Sequence, residues 1–581
     1  MITVSQMDSK RLSFCRVVFC CLVASHGMAE DSFRGRLLDE IDRRDVACDA
    51  IWRKLETQET LLDHGRVLRE KTADALGGFP ETKCPLNARV TRQVARDGYR
   101  VEMVMYESWP GVHVTANLFL PDDPKFAPPY PALLLACGHA QVGKGSPAYQ
   151  RGAVLAAKAD FACLVFDPPD QGERSQGVPH RNCSCAHDHV SSVRTLLGGT
   201  MLRYLLWDCI RSLDYLETRK EVDASRLGAW GNSGGGQMSV WLPLVDDRVK
   251  AVVASGALTA QRFLNRENAT PVDGWTEFSV DGQFGIGLNQ TSLLLARPSV
   301  PVLVESCVED NMFPIRGARE TVGIAREVLA RFGLGDRRRM LEVAGPHKWR
   351  ESARVAGVDW MRRWLCGDLS ALRSDFSAYR SLDGTFDPAK SDMGLSGGAE
   401  FVTPNGTVRD LPGERTLYDV MRDDFHAARA VRRGEVSAAE VAQLAGIRPD
   451  DVVRGTLAAT TEASRLTVRD REDAGERRDV PELARQLGRS VPGLQAAEIL
   501  VLAEEAKRTF GRPPVVCAAG RLCVAAAHAR KVRPDLVSAV ELRDPPPSWT
   551  EIVEKGLECD RYCSVPGALR LYDWPELLRI R

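Results

Sequence analysis

The chain has only ten histidines in 581 residues, so each can be weighed singly as a base or a ligand. It also lacks an excess of either charge: 77 Lys and Arg stand against 78 Asp and Glu. Such a balance gives no reason to expect nucleic acid or an anionic membrane surface as a partner. No apolar run reaches the length of a membrane-spanning helix, so no membrane span is expected. Cysteine is not scarce, at sixteen, but it forms no even framework. Losing Cys15, Cys20 and Cys21 with a leader leaves thirteen, an odd number that strands at least one thiol. Cys137, Cys163, Cys209 and Cys307 lie in apolar runs, where cysteine acts as a small buried hydrophobe.

With 44% hydrophobic and 27% charged residues, the chain reads as soluble and globular, and its length allows two or more cores. Lys10 and Arg11 precede the apolar stretch Val17 to Ala24, and Gly27-Met28-Ala29 offers small residues for cleavage. Residues 1–29 are therefore expected to be an export signal, and the protein to be secreted or periplasmic.

Residues 30 to 80 carry apolar residues at helical spacing. Arg89 to Ala95 and Tyr99 to Tyr106 flank Asp97-Gly98, a strong hairpin turn, and a third alternating strand runs from Val112 to Leu120. The texture then changes. Ala132–Ala136 and Phe161–Phe166 are continuous apolar runs, as expected of strands covered on both faces. Helix-length segments alternate with further strands at Leu227 to Trp230, Val249 to Ser255, Val300 to Ser306 and Met340 to Val343. That alternation predicts an α/β domain with a doubly wound sheet.

Within it, Gly231-Asn232-Ser233-Gly234-Gly235 is a G-x-S-x-G pattern between a strand and a helix. A serine on so sharp a turn stands clear of the sheet, and small residues let the two arms pass. The pentapeptide alone fits a glycine-rich turn equally well. The partners downstream decide for a nucleophile. A hydroxyl needs a base, and the base needs an acid to fix its tautomer. Asp310 follows the Val300–Ser306 strand, ahead of the weaker candidate Glu309, and His347 follows the last strand. His347 is the only histidine between Ser233 and His426. The order serine, acid, histidine makes Ser233, Asp310 and His347 the expected catalytic set. The oxyanion amides are expected from Gly234 and from the loop after Ala132–Ala136, at His139 or Ala140, with His139 preferred.

The chain resembles the bacterial acetyl xylan esterase-like members of the α/β-hydrolase superfamily, kin of the prolyl oligopeptidase hydrolase domain. The resemblance spans about residues 75 to 367. It is carried by Cys137-Gly138-His139 with Gly143-Lys144 and Tyr149-Gln150, by Phe166-Asp167-Pro168 with Gln171-Gly172-Glu173-Arg174, by the serine pentapeptide, and by Phe313-Pro314-Ile315 before Gly317-Ala318. It implies a serine esterase acting on an acylated carbohydrate, without a cofactor. Relatives show an acidic residue and a histidine where this chain has Asp188-His189, whereas Trp275 to Leu288 departs from their pattern.

Cys183, Cys185, His187 and His189 crowd one loop, but their spacing matches no standard zinc motif. No metal is expected, and the loop reads as pocket lining, with His189, Trp230 and Trp349 as candidate pocket residues. Trp275 is a further aromatic near the site, and the Glu173–Arg174 pair reads as structural.

Residues 368–480 read as a connecting region without long periodic elements, with Pro404-Asn405-Gly406 turning between two short strands. From 481 to 581 the chain echoes itself. Leu487-Gly488, a helix to about Arg508, Val515 to Gly520 and Leu536 to Val540 follow the order of Leu197-Gly198, its helix, Leu227 to Gly231 and Val249 to Val253. At the second elbow Leu522 replaces the serine, and Cys523 is a poor substitute with no histidine after His528.

The expectation is thus a hydrolase unit over 30–367 and a truncated, degenerate second hydrolase-like unit at the C-terminus. Two alternatives stand beside the esterase. One is a prolyl oligopeptidase-type peptidase, for which fewer than about 130 residues precede the sheet, too few for a gating propeller. The other is a binding or scaffold protein with an idle triad.

Overall fold

The computed structural model describes all residues except 1–32, 177–184, 268–276, 374, 376, 433, 449–451, 453–455, 463, 471–478, 580 and 581. The expected leader at 1–29, Cys183 and Trp275 lie outside the described residues, as does the side chain of Cys185. Among the described residues, no helix is long and apolar enough to cross a membrane.

Nine strands form one sheet: β1 (Arg89–Arg96), β2 (Tyr99–Trp109), β3 (Val112–Pro121), β4 (Tyr130–Ala136), β5 (Ala162–Phe166), β6 (Val222–Asn232), β7 (Val249–Ser255), β8 (Val302–Cys307) and β9 (Arg338–Val343). Their order is β1-β2-β3-β5-β4-β6-β7-β8-β9. The first three run antiparallel, β3 meets β5 antiparallel, and β5 to β9 are parallel. Every residue of β4, β5 and β8 is buried, because helices cover both faces. That is why these strands read as unbroken apolar runs. The chain winds from β4 outward to β5 and then crosses back to β6. The order therefore reverses between β4 and β6, and ligands of such sheets bind outside the carboxyl ends of the strands at that point.

Two features of the connecting region differ from the sequence reading. Pro404-Asn405-Gly406 forms a turn, but no strand flanks it. Residues 417–430 form a long helix, Leu417–Ala430, closed by a capping box of Thr416 and Asp419, with Leu417, Val420, Met421 and Phe425 buried. The region is tied to the sheet through Glu173. Its carboxylate accepts from the amides of Val402 and Thr403 and from the Thr403 hydroxyl. It also pairs at 2.5 Å with the buried ammonium of Lys144, which reaches Asp167 at 2.6 Å. Burial works against the charge of Glu173, but Lys144 beside it holds its carboxyl below the usual range. Arg174 pairs with buried Asp208 at 2.6 Å. Both charges of this motif are thus engaged in the scaffold.

The second sheet comprises β10 (Leu457–Glu462), β11 (Arg465–Asp470), β12 (Val515–Ala519) and β13 (Ala539–Arg543), in that order. β10 and β11 are antiparallel; β11, β12 and β13 are parallel. β13 begins three residues later than the apolar Leu536-Val537 suggests, because those residues instead fill the core beneath a turn.

The echo of the first unit is followed element by element. The helices Cys185–Leu196 and Met201–Glu217, β6, the helix Gly234–Val245, β7 and the 3-10 turn Gln283–Ile286 recur as Val480–Gln486, Val491–Phe510, β12, Leu522–Val532, β13 and Ala568–Arg570. The two copies also meet reciprocally. The Gly282 amide donates to the Arg485 carbonyl at 2.8 Å, and the Gly567 amide to the Thr195 carbonyl at 2.7 Å. Arg485 lies 290 positions after Thr195, and Gly567 lies 285 after Gly282. A Cβ on Gly488 would lie 3.4 Å from Gly282 Cα, and one on Gly198 the same distance from Gly567 Cα. A contact in which each half offers the same surface is the geometry of a two-fold dimer, built here within one chain.

The second elbow is chemically empty. Arg521, at φ −60° and ψ −28°, is ordinary helical backbone, and Leu522 is buried. Cys523 is buried against the carbonyls of Ala518 and Arg543, and burial pushes its thiol pKa up, opposite to what a nucleophilic thiol needs.

Candidate active site

Ser233 follows β6 and caps the helix Gly234–Val245 with φ 57° and ψ −126°, a strained conformation for a side-chain-bearing residue. Its surroundings make room for it. A Cβ on Gly235 would overlap the Ala136 carbonyl, and one on Gly231 would overlap that of Gly235. A Cβ on Gly138, in the loop after β4, would lie 2.9 Å from Ser233 Cβ and 3.0 Å from the Gly234 nitrogen. The loop after β4 and the turn after β6 therefore touch directly at the point where the strand order reverses.

That loop has three successive amides. Gly138 donates to the Tyr149 hydroxyl at 2.6 Å and Ala140 to Gln171 Oε1 at 2.6 Å. Both are engaged in holding the loop, which leaves the His139 amide as the remaining candidate beside Gly234. Trp349 packs on Tyr149 with ring centroids 5.6 Å apart, and Trp230 meets Trp349 edge-on at 5.0 Å. Trp230 and Trp349 are both buried in the core. Their rings back the tyrosine that fixes Gly138.

His347, in the loop after β9, shares a 2.7 Å hydrogen bond between its Nδ1 and Asp310 Oδ2. The other carboxylate oxygen accepts from the amides of Met312 at 2.8 Å and Phe313 at 3.0 Å. The Asp310 carboxylate is buried, while the imidazole keeps 19% of its surface open. Phe313 stacks on the ring. The ring also lies close to Gly256: a Cβ there would lie 3.2 Å from His347 Cε1 and 3.3 Å from Asn232 Oδ1. Gly256 follows Ser255, whose carbonyl accepts the Ser233 amide at 2.8 Å. The three loops carrying Ser233, Asp310 and His347 thus converge around Asn232 and Gly256. Glu309 is exposed and makes no contact with His347 in the hydrogen bonds seen here.

A second polar group lies on the Gly138 side. His139 Nε2 is 3.0 Å from Glu277 Oε1, and His187 Nδ1 is 2.6 Å from the same oxygen. The two ring nitrogens are 3.3 Å apart. His187 Nε2 meets the Pro169 carbonyl at 2.6 Å. Burial opposes a charge on His187, but the Glu277 carboxylate overrides it and carries the imidazole up to about 9. Glu277 in turn is held well below the usual carboxylate range: burial opposes its charge, but His139 and His187 outweigh it. Phe278, next in sequence, lies 3.6 Å from the Cβ position of Gly234.

His189, expected near the pocket, instead turns edge-on to Tyr418 at 5.1 Å, and burial lowers its pKa. His187 takes the place beside His139. The sequence marked the loop of His187 and the departure at Trp275 to Leu288, but not the meeting of His187 with Glu277.

The prolyl oligopeptidase family model matches residues 199–282, which hold β6, the elbow and β7. The Bacillus subtilis (strain 168) protein named "Putative hydrolase YtaP" is 24% identical over 309 residues, covering 51% of this chain and 98% of its own. Among solved structures, the acetyl xylan esterase from Paenibacillus sp. R4 aligns at 16% identity and a TM-score of 0.35, over 53% of this chain and 100% of its own. Methylesterase BT1017 aligns at 18% identity and a TM-score of 0.52, over 67% of this chain and 81% of its own. The family match and the methylesterase likeness show the fold, which is that of the α/β hydrolases.

Proposed function

With that fold as the premise, we propose that this chain is a serine hydrolase that cleaves carboxylic esters, the acyl group being carried by a carbohydrate. Ser233 Oγ attacks the ester carbonyl. His347 Nε2, left over when Nδ1 is given to Asp310, takes the hydroxyl proton and returns it to the departing alcohol. Asp310 fixes the tautomer and stabilises the imidazolium. The amides of Gly234 and His139 receive the oxyanion. Water then repeats the sequence on the acyl-enzyme and releases the acid.

The observation that carries this reading is the His347–Asp310 bond, with the second Asp310 oxygen fixed by two amides, set against Gly256 beside the strained serine. The carbohydrate acyl ester is the substrate class that the acetyl xylan esterase-like motifs imply. The prolyl oligopeptidase match keeps a peptidase as the second reading.

The test is labelling by a fluorophosphonate with peptide mapping, alongside turnover of a chromogenic acetate ester. The expected result is one modified residue, Ser233, and ester turnover abolished by Ser233→Ala. Cleavage of a proline-linked amide without ester turnover would favour the peptidase. No labelling and no turnover would leave a scaffold with an idle triad.

A further inference from the structure

We propose that His139, His187 and Glu277 form a binding site for a divalent transition-metal ion of the zinc class, clamping three loops around the candidate nucleophile. The ligand atoms His139 Nε2, His187 Nδ1 and Glu277 Oε1 all lie within 4.8 Å of one another. They come from the loop after β4, the start of the helix Cys185–Leu196, and Glu277, which follows the helix Gln261–Glu267 in sequence, so the three are distant along the chain. Two imidazoles and one carboxylate are a donor set of the kind that holds zinc with one position open.

The tautomer of His187 fits that role. Its Nε2 faces the Pro169 carbonyl at 2.6 Å, and a carbonyl can only accept, so the nitrogen there carries hydrogen. A neutral ring then directs its Nδ1 lone pair at Glu277 Oε1, 2.6 Å away. Two lone pairs face each other at that distance only when a cation lies between them, either a proton or a metal. A histidine ligand braced through its other nitrogen by a backbone carbonyl is the usual outer support of a metal site. Tetrahedral ligand bonds of about 2.0–2.1 Å set ligand atoms about 3.3–3.4 Å apart, so the two ring nitrogens already stand at that spacing and Glu277 Oε1 must draw back from them, by about 0.7 Å from His187. His139 provides the way in, since 27% of its side-chain surface is open while His187 and Glu277 are buried.

The position gives the site its consequence. Gly138 touches Ser233, and Phe278 touches the Gly234 position, so the two residues joined to ligands 139 and 277 form the wall of the elbow. A cation there fixes that wall and adds positive charge beside it, with its open position available to a substrate oxygen. None of this depends on Ser233 being reactive.

The experiment uses the full-length protein, stripped with a chelator and titrated with zinc chloride by calorimetry. Thermal unfolding and the visible spectrum of the cobalt-loaded protein are recorded in parallel. The expected result is one ion per chain, a rise in Tm on loading, and at least tenfold weaker binding in both Glu277→Gln and His139→Ala. The half-open His139 makes its alanine variant the safer one to fold. No heat and no Tm shift at about hundredfold excess of zinc over protein would overturn the proposal and leave a proton between His187 and Glu277. Binding that is equally tight in both variants would overturn it too, placing the metal on other groups. Because these readouts need no turnover, they separate failure of the metal site from failure of the esterase reading.

Discussion

Arg485 and Asp281 are joined at 2.7 Å across the seam between the two units. The same guanidinium bonds Ser279 and Glu482, and Ser279 donates to Glu482 at 2.6 Å. Ser279 is two residues from Glu277. The degenerate unit therefore grips the segment that forms one wall of the candidate site. Replacing Arg485 with Met strands the buried carboxylate of Glu482 and the half-buried one of Asp281, at a cost of about 3 kcal/mol. The expected outcome is a clear fall in Tm with a raised KM for ester, while fluorophosphonate still labels Ser233. An unchanged Tm would show that the seam does not depend on this network.

Gly138→Ala tests the contact between the β4 loop and the elbow. Its methyl would press on the Asn232 carbonyl, on Ser233 and on the Gly234 nitrogen, so the Gly234 amide, proposed as an oxyanion donor, is displaced. A loss of about 10²–10³-fold in kcat is expected, with KM little changed and the fold retained by circular dichroism. A variant with full kcat would refute this placement of the oxyanion site.

His528 predicts an acid response in the second unit. It is buried, its Nδ1 donates to the Val524 carbonyl at 2.7 Å, and its Nε2 accepts from the Tyr572 hydroxyl at 2.9 Å. Burial lowers its pKa to about 4, against about 6.5 in an unfolded chain. The unfolded state thus takes up a proton first. The contribution of the neutral ring is complete above about pH 6.5 and is lost as the pH falls toward 4, on the order of 3 kcal/mol in all. Hydrogen exchange in the helix Leu522–Val532 should accelerate over that range. In His528→Gln the acceleration should be much smaller, and equal acceleration in both proteins would assign it elsewhere.

Lys144→Met is expected to destabilise strongly, by about 3–5 kcal/mol, because Asp167 and Glu173 stay buried without their cation. The lowered Glu173 pKa makes the wild-type contribution present above about pH 4.5 and lost as the pH falls below it. The variant should show the milder acid dependence in thermal melts, and a steeper one would contradict the assignment.

The sheet was legible because burial on both faces writes long apolar runs, and because a G-x-S-x-G pattern between a strand and a helix marks the elbow of an α/β-hydrolase sheet. What escaped was governed by direction. His187 and His189 are two residues apart on a helix, so they point some 200° from each other, and the residue chosen from sequence faces Tyr418. Trp230 lies on a strand buried on both faces, where an aromatic near a motif is packing. Glu277 joins histidines 90 and 138 positions away, a distance over which no local pattern carries information. The helix Leu417–Ala430 hid behind the charged run Arg422-Asp423-Asp424, of which Asp423 is exposed while Asp424 turns in to pair with Arg194 and Arg203.

The paired bonds from Gly282 to Arg485 and from Gly567 to Thr195 run from main chain to main chain. These two bonds depend on no particular side chain, whereas the Arg485 network beside them does. The silent half could thus drift in sequence, losing serine and histidine alike, while still fitting its sibling. Mutational tolerance in this protein should accordingly be low at these glycines, which also stand at positive φ, and far higher around the abandoned elbow.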